Sequence, residues 1–371
     1  MKKEIIYILI ALLSGLTGCH KAKEPTDVKG RTVLVYMVAS NLGSQLNSNI
    51  EDMIFAATAK NLNNGKLVVF YSENQHTAEL FEIKEGAGGV VTRHHIRNYE
   101  DMSALSPVTM REVIDEVIRL YPNESYGMVF SSHGTAWLPA GSYGLRSFGE
   151  ENGRKMEIYE LASGLPDHVF DFLLFDVCSM ASVECVYELR NKAAYIVASP
   201  SEIISYGIPF RSVLPYLFTK QANLEKAAEA FYLFYKSYVY PYGMISVTRT
   251  DKLEELAGIT KEILADAPTT VFAPPLPDWQ LLANWYGSPT KLYDISDVIG
   301  TMATQEQQAR FRACLNETVS GLYTTEYIYC TNGNRSEQVL RYSGLSIYPF
   351  QEQLPDLNEW YKRLEWYKAV Y

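Results

Sequence analysis

The chain has 371 residues, 47% apolar and 20% charged, which suits one large α/β unit with an appendage and a sizeable core. Its formal net charge is −10 and its Lys and Arg residues form no cluster, which excludes nucleic acid as a partner, because phosphate binding needs concentrated positive charge. Tyrosine is abundant, with 27 residues, many of them in the C-terminal third.

Lys2 and Lys3 precede an apolar stretch, residues 5–13, too short to span a bilayer and shaped like the core of a signal peptide. Leu16-Thr17-Gly18-Cys19 follows and looks like the lipobox of bacterial lipoproteins, in which the signal is cut before a lipid-modified cysteine. An ordinary signal peptide with an incidental Cys19 is the alternative. Residues 20–30 are polar and read as a tether. The expected protein is exported and lipid-anchored to the bacterial cell envelope, at the outer membrane or the periplasmic face.

Apolar runs then alternate with helical periodicity. Residues 32–39 read as a buried strand, 46–62 as a helix and 66–72 as a second strand. Residues 81–83 and 90–94 read as a small hairpin around the turn at 86–89. A helix over 109–120 leads to a third main strand at 126–131, and a fourth strand at 171–175 leads to a helix from about 179 to 190. A fifth strand (194–198), a helix (224–238) and a sixth strand (244–248) complete the series. Strands alternating with helices predict an α/β fold with a mostly parallel sheet covered on both faces. The Pro-rich stretch 271–278 is the expected boundary between a core at 31–270 and a helical, aromatic-rich extension at 271–371.

Two strands end in reactive side chains. The third runs into Ser131-Ser132-His133-Gly134 and the fourth into Asp176-Val177-Cys178-Ser179-Met180. Open α/β sheets bind ligands beyond the carboxyl ends of their strands, so on neighbouring strands His133 and Cys178 would face one crevice. A thiolate nucleophile gains from a nearby imidazole or a helix N-terminus, and the amides of Gly134 and Cys178 are placed to receive an oxyanion. The bland alternatives are a small core cysteine and a hydrogen-bonded structural histidine. His94 and His95 fall in the hairpin, His168 precedes the fourth strand, and Cys185 reads as core. Cys314 and Cys330 could pair in an oxidising compartment. No phosphate loop, zinc spacing or EF-hand is present, so no cofactor or metal is expected.

The stretch 32–350 resembles the clostripain family of cysteine peptidases, which share the caspase-like fold. The resemblance rests on Tyr36-Met37-Val38-Ala39 with Asn41-Leu42, Ser132-His133-Gly134 with Trp137, and Phe175-Asp176-Val177-Cys178-Ser179-Met180 with Glu184. It extends through Ser199-Pro200-Ser201-Glu202 and Ser343-Gly344-Leu345-Ser346-Ile347-Tyr348-Pro349. It implies that His133 is the general acid/base and Cys178 the nucleophile. It also implies that Asp176 lies at the base of the pocket for a P1 Arg or Lys, with capping of the following helix as the alternative role. Arg154-Lys155, between His133 and Cys178, is a candidate self-processing site or else a solvated charge run. Thr135-Ala136 and Val177 depart from the family pattern. The implied protein is a lipoprotein endopeptidase acting on peptides with a basic P1. The rival reading is an inactive relative that binds peptide or glycan.

Overall fold

The computed structural model describes residues 30–371 apart from 75, 140–147, 152 and 333–334. The lipobox, Cys19 and most of the tether lie outside the described residues. No helix among the described residues is long and apolar enough to cross a membrane.

A nine-stranded sheet is the frame. Its strands are β1 (Arg31–Val38), β2 (Lys66–Asn74), β3 (Thr77–Glu85), β4 (Val91–Tyr99), β5 (Ser125–Ser131), β6 (Phe170–Asp176), β7 (Ala193–Ala198), β8 (Met244–Arg249) and β9 (Val319–Thr324), in the spatial order β9-β8-β7-β6-β5-β1-β2-β3-β4. The centre, β7-β6-β5-β1-β2, is parallel. The outer pairs on both sides are antiparallel. The expected small hairpin is therefore two nine-residue strands, β3 and β4, continuing the main sheet to its edge.

Every residue of β1 is buried, because both faces of the sheet are covered. Strand alternation sends Leu34, Tyr36 and Val38 into one core layer and Val33, Val35 and Met37 into the other. Helices α1 (Gly43–Ala56), α4 (Phe210–Leu217) and α5 (Leu224–Ser237) cover the second layer. The first is covered by α2 (Pro107–Leu120), α3 (Val183–Glu188), α6 (Leu253–Asp266) and the C-terminal helices α9 (Pro355–Tyr361) and α10 (Glu365–Val370). Helix α7 (Ile295–Met302) joins that layer, and α8 (Gln305–Thr318) packs beside α6.

Two departures from the sequence reading matter for the site. Helix α3 is six residues long and begins at Val183, not at 179. Ser179 sits at φ +62°, a left-handed conformation that cannot open a right-handed helix, and Ser182 is the N-cap, its hydroxyl accepting the Cys185 N–H at 3.3 Å. Beyond the turn at 271–278 the chain returns into the core instead of only packing on it. Its β9 completes the sheet against β8, while Val271–Phe272 pairs in parallel with Phe350–Gln351.

Candidate active site

Adjacent parallel strands deliver the site. Ser131 of β5 lies in register with Asp176 of β6, so the two strands release residues 132–134 and 177–178 at the same edge of the sheet. β1, on the other side of β5, ends there too and leads to Asn41, whose Oδ1 accepts a hydrogen bond from His133 Nε2 at 2.6 Å. Beside β6, β7 contributes the segment from Ser199 to Gly207. Ser179 N–H donates to Ser201 O at 2.9 Å and Ala181 N–H to Ser199 O at 3.0 Å, which ties the Cys178 turn to that segment.

His133 and Cys178 line one cleft of about 510 Å³ with Asp176 in its lining. Cys178 Sγ accepts the N–H of Ile203 at 3.3 Å and lies 3.5 Å from its carbonyl oxygen. Burial, reinforced by the Glu202 carboxylate, pushes the thiol up to about 12, so the resting group is a protonated thiol. The expected help from a helix N-terminus is missing, because α3 starts five residues further on and behind a turn. At Gly134, the bridge to Phe148 is made by Gly149 N–H donating to His133 O at 2.8 Å, not by the Gly134 amide.

Asp176 is buried, and its carboxylate accepts from Ser131 Oγ (3.0 Å), Asn49 Nδ2 (3.3 Å) and the Ile208 N–H (2.9 Å). Burial raises it to about 7 despite the Ser131 and Ile208 donors, which pull the other way. The helix-cap alternative fails, since α3 is capped by Ser182 and none of these donors belongs to it. Gly207, at φ +73°, closes over the carboxylate. A Cβ there would come within 2.6 Å of Oδ1, so only glycine fits this approach.

The other singled-out residues lie elsewhere. His168 precedes the opposite end of β6 from Cys178. His94 and His95 lie on the edge strand β4, His95 paired with Glu79 at 3.0 Å. Cys185 is fully buried in the core, and Cys314 and Cys330 are buried without a disulfide. Arg154 and Lys155 form a three-residue strand with Met156, paired with Phe148–Glu151, so they stand in a hairpin and not in an open loop.

Sequence reasoning gave no role to Asn41, Asn49 or Glu202, and it offered the C-terminal aromatics as a groove lining only under the rival binding reading. Asn41 and Glu202 follow the ends of β1 and β7, and the rule that singled out His133 and Cys178 applies to them equally. Asn49 on α1 and the tyrosines reach the cleft only through tertiary packing. Glu202 is largely buried, raised to about 7 by burial, and its Oε1 accepts from Thr331 N (2.7 Å) and Oγ1 (3.1 Å).

A parallel-centred sheet with a cysteine and a histidine released from adjacent strand ends defines a cysteine peptidase of the caspase-like class. The sequence profile of peptidase family C11, the clostripain family, matches residues 35–370, and the chain belongs to that family. It is similar to an inactive zymogen C11 protease from Parabacteroides distasonis, at 36% identity and a TM-score of 0.83 over 92% of this chain and 98% of that one. It is also similar to a secreted C11 cysteine protease from Bacteroides thetaiotaomicron, at 27% identity and a TM-score of 0.81, covering 92% and 99% of the two chains. That protease in complex with an irreversible peptide inhibitor gives 0.82 at the same identity. No curated protein matches the chain.

Proposed function

We propose that this peptidase cleaves after Arg or Lys through a Cys178–His133 dyad. The observation that carries the reading is the buried Asp176 carboxylate in the wall of the cleft that also holds Cys178 and His133. A guanidinium or ammonium reaching it would form a charge-assisted pair where water is excluded.

His133 Nε2–H donates to Asn41, which leaves Nδ1 as the basic nitrogen. Nδ1 takes the Cys178 proton as Sγ attacks the scissile carbonyl, and the amides of Gly134 and Cys178 receive the oxyanion. The tetrahedral intermediate collapses to a thioester as the imidazolium gives its proton to the leaving amine. Water, activated by the same nitrogen, hydrolyses the thioester and restores the thiol.

Two further assignments accompany this reading. The chain is lipid-anchored at Cys19 in the cell envelope, on the strength of its lipobox, and the secreted relative fits export. Processing falls at Arg154-Lys155, where Arg154 is exposed in a ladder only three residues long. The intact mass of envelope-purified protein reads both, and a single unmodified chain would refute them.

The test of the main reading is hydrolysis of fluorogenic Arg-, Lys-, Asp- and Ala-P1 peptides by the wild type and Cys178→Ala, with the intact mass recorded. The expected result is turnover of Arg and Lys substrates by the wild type, lowered by about four orders of magnitude or more in the variant. Equal turnover of all four P1 residues by the wild type would refute the basic specificity. Turnover retained by the variant would refute the dyad.

A further inference from the structure

The tyrosine-rich composition acquires a place at the cleft. β8 runs antiparallel to β7, so the chain entering β8 passes the same sheet edge that β7 leaves, and residues 238–242 arrive beside the segment following β7. β9 runs antiparallel to β8, with Thr324 opposite Met244, so residues 325–331 come to that edge as well. Tyr242 bridges to Tyr327, and its ring lies 6.0 Å from Tyr329. Tyr206, Phe234 and Tyr238 form a three-way cluster with centroid distances of 4.6, 5.1 and 5.5 Å, and Tyr240 meets Tyr238 edge-on at 6.3 Å. Glu202 fastens the second part of this wall by holding Thr331 through both its N–H and its hydroxyl.

Tyr206, Tyr238, Tyr240, Tyr242 and Tyr329 all line the cleft that contains Cys178 and Asp176. In its lining Tyr240 is 58% exposed, so apolar surface of the cleft stands open to solvent. Large exposed apolar side chains contiguous with a cleft mark a binding surface more often than chance.

We infer that this tyrosine wall is a second specificity site, which binds an apolar or aromatic side chain at one of the two substrate residues preceding the cut residue. The inference rests on the peptidase reading with its basic P1. The direction follows from the chemistry. His133 must face the leaving amine, and it stands on the β5–β1 side of Cys178, so the departing half of the substrate lies there. Tyr238, Tyr240, Tyr242 and Tyr329, on the segments flanking β8 and β9, lie on the other side, beyond β7, where the acyl half remains. An acidic residue is disfavoured at this wall, because Glu202 and Asp176 are its charged neighbours in the cleft lining. Substrates of the pattern apolar–basic, or apolar–any–basic, are therefore selected.

The test varies the first and second residues upstream of Arg in fluorogenic peptides among Leu, Phe, Gly and Asp, and repeats the set with Ala in place of Arg. At one of the two positions Leu and Phe should exceed Gly by about tenfold or more in kcat/KM, with Asp slowest. In Tyr240→Ser and in Tyr329→Ala the Leu-over-Gly ratio should collapse toward one, while the Arg-over-Ala ratio stays at its wild-type value. Tyr240 is an exposed loop residue, so its variant folds even if Tyr329→Ala does not. Tyr195→Ser, on the far end of β7, should alter neither ratio. A wild-type Leu-over-Gly ratio near one at both positions, or one unchanged by both cleft variants, overturns the second site alone. Loss of the Arg-over-Ala preference in the wild type overturns the P1 reading, and the second site with it.

Discussion

Asp176 is placed among amide and hydroxyl donors at the floor of a cleft, and burial alone raises its titration to about 7. Glu184 and Glu202 are raised to about 7 by the same cause. A free carboxylate titrates near ~4, so between about pH 4 and 7 the folded chain binds more protons than the unfolded one. The stability held in these groups is therefore full below about pH 4 and is lost as pH rises through 7. Asp176→Asn removes one of the three, so its Tm should exceed the wild-type value at pH 8 and match it near pH 4. A lower Tm at pH 8 would show that the carboxylate is stabilised by partners and not merely buried. The same titration sets ligand binding. Inhibition by benzamidine, whose amidinium mimics the P1 cation, should tighten as pH rises from 6 to 8 in the wild type and be flat and weak in Asp176→Asn.

At the scale of elements, the loop carrying His133 is held from the far end of the sequence. Trp137 is fully buried, stacked on Trp360 at 5.6 Å and edge-on to Tyr361 at 4.9 Å and Tyr348 at 5.5 Å. Glu184 of α3 accepts from Tyr348 N and Tyr361 Oη, both at 2.9 Å, and binds the element behind the Cys178 turn to the same aromatic group. Trp137→Ala should cost about 3–5 kcal/mol of stability. It should also lower kcat more than it raises KM, because it loosens the base and not the P1 floor. An unchanged kcat at a temperature where the variant remains folded would show that the aromatic group has no part in positioning His133.

The parallel strands were legible because a strand buried on both faces reads as a continuous apolar run, as in β1 and β6. Their ends then located His133, Cys178 and Asp176. The start of α3 was not legible, because the run 179–190 has helical periodicity while the left-handed Ser179 and the Ser182 cap decide where the helix begins. The reading ended β4 at 94 because His95 and Arg97 break the apolar pattern in this edge strand, which runs on to Tyr99. Such polar residues are how exposed edges are kept from pairing further. The tyrosine wall is legible only as composition, since two antiparallel pairings bring its parts together.

For the whole molecule, the expected boundary at 271 cuts through a single body. The last hundred residues supply β9, the parallel pair at Phe350–Gln351 and much of the first core layer, including the fully buried Trp366 and Tyr361. A fragment of residues 31–270 would expose the flank of β8 and that apolar layer together. It should lack cooperative thermal unfolding and near-UV circular dichroism, whereas residues 31–371 should show both. A fragment that unfolds cooperatively would restore the two-unit description.

The protonated thiol of Cys178 has a consequence for how long the protein keeps its activity. Peroxides and disulfides consume sulfur anions far faster than sulfhydryls. With burial raising the Cys178 thiol to about 12, the proposed nucleophile should react slowly with such oxidants, and peroxide should inactivate the free protein only slowly.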